Sequence, residues 1–169
     1  IDLGFGNPDI PSPDLAVDTL IEAARQPANH RYSASRGIDD LRAALAGRYR
    51  RRFGVELDPE TEVISTIGSK EGLSHLMWVL LQPAPVIAGA EVRTAPIGSE
   101  ADYFDVVHRM FHDSWPRPRV IIVSFPHNPT AATVDLGFFE RLVDLARENE
   151  VVLVHDFGYA DIGFDGYRP

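Results

Sequence analysis

The chain has no cysteine among its 169 residues, which excludes disulfides, thiolate nucleophiles and thiolate metal sites. Lysine is almost as scarce: of 16 lysine and arginine residues, only Lys70 is a lysine. No apolar run approaches the roughly 20 residues needed to cross a bilayer. The start, Ile1-Asp2-Leu3-Gly4, has neither the basic nor the apolar region of a secretory signal. A cytoplasmic protein without a membrane role is the expectation. The net charge of −9 argues against nucleic acid as a partner. The one dense basic run, Arg48 with Arg50, Arg51 and Arg52, reads as a solvated helix end whose cations complement the helix dipole. The six histidines are scattered and suggest no metal site.

What is present is an ordinary globular composition, 44% hydrophobic and 24% charged, sufficient for one domain with a real core. The last third is the most informative part. The apolar runs 120–125 and 151–154 are short and β-branched, as strands buried on both faces of a parallel sheet are. Between them, Asp135 to Asn149 places Leu136, Phe139, Leu142, Val143, Leu145 and Ala146 at a helical period. The three segments make a βαβ unit. In open α/β sheets ligands lie beyond the carboxyl ends of the strands, so Asn128, Asp156 and Tyr159 are expected to converge on one site.

Upstream, Pro8, Pro11 and Pro13 mark an extended arm. Ser12 or Asp14 then caps a helix running to about Arg25. A polar loop from Gln26 to Gly37 contains Arg31-Tyr32-Ser33-Ala34-Ser35-Arg36, side chains compatible with a phosphate. A second helix covers about 38–53, with Asp39 and Asp40 in its first turn. Residues 62–67 are predicted to form a strand leading into Gly68-Ser69-Lys70-Glu71-Gly72 and then a helix carrying Leu73, Leu76, Met77, Val79 and Leu80. Strand pieces are expected at 86–88 and 91–94, and a further helix over 101–112.

A strand, a glycine, a hydroxyl and a helix N-terminus together form a cradle for an anion, because the first N–H groups of a helix lack intrahelical partners. Alone, the cradle reads equally well as a structural tight turn. Its company shifts the balance, since a phosphorylated pyridine cofactor needs helix N–H groups and hydroxyls for its phosphate. It also needs a carboxylate for its ring nitrogen and neutral donors for its ring oxygen. Asp156 taken singly reads as a cap or a satisfied acid. His127 and His155 read as packed or hydrogen-bonded imidazoles, and Glu71 as an acid complementing the helix dipole.

Five motifs occur in an order that resembles the class I/II aminotransferases, the fold type I pyridoxal-phosphate enzymes. They are Gly6-Asn7-Pro8-Asp9; Arg31-Tyr32-Ser33 with Ser35-Arg36-Gly37; Gly68-Ser69-Lys70-Glu71-Gly72; Asn128-Pro129-Thr130; and His155-Asp156 with Tyr159-Ala160-Asp161. The wording is most similar to the branch of alanine and LL-diaminopimelate aminotransferases. The resemblance implies a three-layer α/β/α fold with a mainly parallel sheet. Residues 1–37 would form the arm, first helix and phosphate-contact loop, and residues 38–169 part of the large cofactor-binding domain. It also implies that Ser69 and Lys70 hold the phosphate of pyridoxal 5'-phosphate, that Asn128 and Tyr159 serve the ring oxygen, and that Asp156 pairs with the ring nitrogen. Tyr32 would reach the phosphate of the neighbouring subunit in a homodimer. Gly6, Asn7 and Asn128 would line the substrate site, where an amino group passes between an amino acid and a 2-keto acid.

Two parts of the family pattern are absent from these residues. Leu81-Gln82-Pro83-Ala84-Pro85 bridges directly where the family carries a strand and a ring-stacking aromatic. The lysine to which the cofactor is attached would lie past Pro169, so no catalytic residue is assigned here and the chain alone is expected to be inactive. A carbon–sulfur lyase or racemase of the same fold, or a non-catalytic domain that senses pyridoxal phosphate or another ligand, remain the alternative readings.

Overall fold

The computed structural model describes residues 10–80, 91–98, 100–164 and 166–167. The chain divides into two compact units, Ile1–Ser65 and Thr66–Pro169.

In the first unit, helix α1 spans Asp14–Ala24. Its N-cap is Pro13, whose carbonyl accepts from the Ala16 and Val17 amides at 2.9 and 3.2 Å. The expected side-chain cap from Ser12 or Asp14 is not formed. Asp14 instead becomes the first helical residue, where its charge complements the dipole. Beyond α1, a 3-10 turn at Pro27–Asn29 folds the chain back. Asn29 Nδ2 donates to the Ala23 carbonyl, and the His30 ring contacts the Ala24 carbonyl, both at 2.8 Å. These side chains take up acceptors that a helix end leaves free.

Helix α2 spans Asp39–Phe53 and stops at Gly54, which is left-handed at φ 69°. Arg42, on α2, is buried. Its guanidinium donates to the Pro59 carbonyl and to Asp39 Oδ1, both at 2.5 Å, and to Glu60 Oε1 at 3.1 Å. The two carboxylates raise the arginine pKa, the Asp39 bond having the largest effect and burial opposing it. A charged side chain thus ties α2 to the 58–62 turn.

The strand expected at 62–67 does not form. Ser65 donates one backbone bond to the Arg36 carbonyl at 3.0 Å, and no ladder follows among the described residues. Ile64 and Ile67 are exposed. Apolar β-branched residues make a strand only where a neighbouring strand supplies a ladder. Residues 91–94 are likewise not a strand, and 86–88 lie outside the described residues.

The second unit holds α3 (Ser69–Leu80), α4 (Glu100–Asp113), β1 (Val120–Ser124), α5 (Leu136–Glu148) and β2 (Val152–Asp156). β1 and β2 are parallel, in register from Val120 opposite Val152 to Ser124 opposite Asp156. With α5 between them, they form the βαβ unit that the periodicity predicts. Asp135 caps α5 by accepting from the Phe138 amide at 2.9 Å.

The core joins Tyr103, Phe104, Val107 and Phe111 of α4 to Ile121 and Val123 of β1 and to Phe138, Leu142 and Leu145 of α5. Phe138 is its centre, with ring centroids 5.1 to 5.4 Å from Phe104, Tyr103 and Phe125. The strands are not buried on both faces as their sequence suggests. Ile121 and Val123 are buried, whereas Ile122 between them is 52% exposed. Successive strand side chains point to opposite faces, so α4 and α5 cover one face, and nothing among the described residues covers the other to the same extent. No helix of the described residues is long and apolar enough to cross a membrane.

Candidate active site

β1 ends at Ser124, and the chain enters a loop that closes on itself. The His127 amide donates to the Ala132 carbonyl at 2.9 Å, and the Ala131 amide to the His127 carbonyl at 2.7 Å. Thr130 Oγ1 lies 2.8 Å from His127 Nδ1. These bonds hold Asn128 at the loop's exposed tip. After β2, a turn carries Gly158 and Tyr159, with Ala160 donating to the Phe157 carbonyl at 3.3 Å and Ile162 to that of Tyr159 at 3.1 Å.

The two post-strand segments meet where Asn128 Nδ2 donates to the Tyr159 hydroxyl at 2.5 Å. Asp156 is the last residue of β2 and is half-buried. A Cβ at Gly158 would stand 3.6 Å from Asp156 Oδ1, so the glycine leaves the space beside the carboxylate open. One sheet edge therefore presents an amide donor, a phenol and a carboxylate, a set that can orient a polar ring without carrying a nucleophile.

Ser69 and Lys70 are exposed in the first turn of α3. Gly68, just before them, has φ 82° and open space around its missing Cβ, so an anion can approach the helix N–H groups closely. Thr66 Oγ1 donates to the Gly68 carbonyl at 3.0 Å, and Glu71 accepts from the Ile67 amide. Glu71 thus braces the turn, beyond the dipole role its position suggests. A first-turn glutamate reaching back to an upstream amide resembles one half of a capping box. The residue three before Glu71 is Gly68, however, and the amide bonded is that of Ile67, four residues back, so the sequence carries no capping-box signature for it.

Tyr32 sits in the first unit with its side chain fully exposed. Gly6 and Asn7, like the bridge Leu81–Pro85, lie outside the described residues. A pocket of about 310 Å³ lined by Tyr103, Phe125, Val134, Asp135 and Phe138 includes none of the motif residues. Tyr103 there has its phenol pKa raised by burial. The histidines are not all scattered as expected: His108 and His112 stand four residues apart on α4, both exposed. No three metal-ligating side chains gather among the described residues.

The family model described as aminotransferase class I and II matches residues 1–92 and 84–168. This chain belongs to the class I and II aminotransferases. Its relatives in that family include the glutamate-pyruvate aminotransferase AlaC of Escherichia coli, 45% identical over 184 positions covering 99% of this chain and 45% of AlaC. The LL-diaminopimelate aminotransferase of Nitratidesulfovibrio vulgaris is 39% identical, with 98% of this chain and 47% of the relative covered. Among solved structures, substrate-bound BacF from Bacillus subtilis is similar with a TM-score of 0.87 at 33% identity, over 99% of this chain and 46% of that one. N-succinyldiaminopimelate aminotransferase from Mycobacterium tuberculosis gives 0.82 at 27% identity, over 98% and 47%.

These aminotransferases are pyridoxal-phosphate enzymes, and the fold is that of the fold type I large domain, α/β with parallel pairing. The chain spans about half the length of the curated aminotransferases it matches. The AlaC alignment is longer than the 169-residue chain, so AlaC carries residues in this region that the chain lacks. The two stretches matched by the family model overlap at 84–92.

The donor set suits this cofactor. An open glycine at a helix N-terminus suits its dianionic phosphate, the Asn128–Tyr159 pair its phenolic oxygen, and a carboxylate at a strand end its pyridinium.

Proposed function

We propose that the whole protein is a pyridoxal-phosphate-dependent aminotransferase, passing an amino group between a small or dicarboxylic amino acid and a 2-keto acid. The observation that carries the proposal is the Asn128–Tyr159 contact beside Asp156 at the carboxyl edge of β1 and β2. In this reading Ser69 and Lys70 bind the phosphate through the first turn of α3. Asn128 and Tyr159 donate to the ring oxygen, and Asn128 also helps seat the substrate carboxylate. Asp156 holds a proton on the ring nitrogen. Gly6 and Asn7 line the substrate entrance. Bound there, the cofactor supplies an electron sink for the bonds at the substrate's α-carbon. The protein works in the cytoplasm as a homodimer, with Tyr32 of one subunit reaching the phosphate of the other. The names of AlaC and of the diaminopimelate aminotransferases support glutamate, alanine or diaminopimelate as amino donors. Residues 1–37 act as arm and phosphate-contact segment, and 38–169 as part of the cofactor domain.

The test is amino transfer by the whole protein, from glutamate to pyruvate and from LL-diaminopimelate to a 2-keto acid, for wild type and Asp156→Ala. Wild-type transfer that falls by orders of magnitude in the folded variant is the expected result. Wild-type turnover in Asp156→Ala removes that residue from its role. Racemisation or thiol release without amino transfer replaces the reaction assigned.

A further inference from the structure

Two of the contacts that link the chain leaving β1 to β2 and to the turn after it lie next to the site, and the proposed cofactor chemistry uses only one. The first is Asn128 to Tyr159. The second is His155, whose Nε2 lies 3.1 Å from the Phe125 carbonyl oxygen and 3.4 Å from the Phe125 amide nitrogen. The β1–β2 ladder ends at Ser124 opposite Asp156, so the imidazole extends the connection one residue past the last ladder pair. The ring is itself fixed, its centroid 4.8 Å from that of Phe139 on α5 and 4.6 Å from that of Phe157. Phe125 is buried in the core beside Phe138 and stands three residues before Asn128. His155 stands one residue before Asp156.

We infer that His155 is a positioning residue for the cofactor-ring site: its imidazole fixes the start of the Asn128 loop against β2 and thereby sets Asn128 relative to Asp156. The inference rests on the reading of Asn128, Asp156 and Tyr159 as the ring contacts. The Asn128–Tyr159 bond is less suited to this work, because both of its side chains are also asked to donate to the ring oxygen and must adjust to a ligand there. His155 makes its part-buried bond to the Phe125 backbone, apart from those donors, so the spacing survives when they engage a ligand. The shorter contact is to the carbonyl, which calls for a proton on Nε2. Burial lowers the imidazole pKa, opposed by the Phe125 bond and by Asp156, and favours the neutral ring that this tautomer requires.

Glutamine places its amide nitrogen as many bonds from the backbone as histidine Nε2, asparagine places it one bond closer, and phenylalanine keeps the ring without the donor. The experiment measures pyridoxal phosphate affinity and the absorption band of the bound cofactor in the whole protein for His155→Gln, His155→Asn and His155→Phe. Asn128→Ala and Asp156→Asn serve as controls for the ring site. Losing one net hydrogen bond predicts roughly 10-fold weaker binding and a shifted band for His155→Phe and His155→Asn, with His155→Gln within about 3-fold of wild type. Wild-type binding by His155→Phe while both controls are weakened overturns the inference and leaves the ring-site reading standing. Unchanged binding in both controls overturns the ring-site reading and this inference together. Should the variants fail to fold, nitrogen-15 imidazole spectra of wild type decide. A proton on Nε2 protected from exchange supports the inference, and the Nδ1–H tautomer overturns it.

Discussion

Asn128 and Tyr159, 31 residues apart in sequence, share a hydrogen bond of 2.5 Å at the carboxyl edge of the parallel pair. The amide is a donor there and the phenol oxygen its acceptor, which leaves the phenol proton free to be given elsewhere. Removing the hydroxyl therefore affects two partners at once. Tyr159→Phe is expected to weaken pyridoxal phosphate binding by roughly 3- to 10-fold, the range of one net hydrogen bond. Combined with Asn128→Ala, the loss should be less than the product of the single effects. Titration of cofactor fluorescence across the four proteins measures this coupling, and strict additivity would show the two side chains to be independent.

A stability prediction comes from the turn before α2. Gly37 has φ 85°, and a Cβ there would lie 2.5 Å from Ser65 Cβ, beside the bond from the Ser65 amide to the Arg36 carbonyl. Alanine meets both a left-handed backbone and a steric overlap, so Gly37→Ala is expected to cost on the order of 2 kcal/mol or more. Gly54, at φ 69° with nothing within 4 Å of its missing Cβ, carries only the first penalty. Thermal melts should thus place Gly37→Ala below Gly54→Ala. The reverse order would mean that the Ser65 side yields freely.

The βαβ unit was legible because its signals are local: β-branched runs for β1 and β2, a helical period for α5. Its exposed sheet face was not, since a continuous apolar run does not reveal whether one or two layers will cover it, and Ile122 shows that one does among the described residues. Residues 62–67 misled for a related reason, because their composition favours a strand but the partner is a matter of the rest of the chain. At the site, the rule that ligands gather at strand ends pointed to Asn128, Asp156 and Tyr159. It could not reveal that His155 bonds the Phe125 backbone from 30 residues away, for no local pattern encodes that pairing.

Acid sensitivity is expected at the 58–62 turn. Asp58 accepts from the Glu60 amide at 2.9 Å and from Thr61 Oγ1 at 2.8 Å. These bonds, the first above all, hold its carboxyl below the ordinary 3.8, with the charge of Arg42 adding to them and desolvation opposing. A folded pKa below the unfolded one means that the unfolded chain takes up the proton first. The contribution is complete above the ordinary value and disappears as the pH falls through it toward the lowered one. The Tm difference between wild type and Asp58→Ala should be widest at neutral pH and shrink below about pH 4. A difference that stays constant with pH would assign the effect to packing instead of charge.

The proposed homodimer gives the sharpest expectation for the first unit. Tyr32 lies with its side chain wholly exposed, in a loop whose neighbours Arg31, Ser33, Ser35 and Arg36 are all compatible with a phosphate. Asp156 belongs to the sheet edge of the second unit. If each site takes Tyr32 from one subunit and Asp156 from the other, a mixed dimer of Tyr32→Phe and Asp156→Ala chains contains one site with both residues intact and one with neither. Single variants of the whole protein should be strongly impaired, and unfolding and refolding them together should return up to about one quarter of wild-type activity. That figure follows from half the dimers being mixed and each then carrying one good site of two, in line with the symmetry of an isologous pair. Recovery to this level requires the shared site. A whole protein that sediments as an active monomer, or a mixture no better than its components, would place Tyr32 and Asp156 in the service of the same chain.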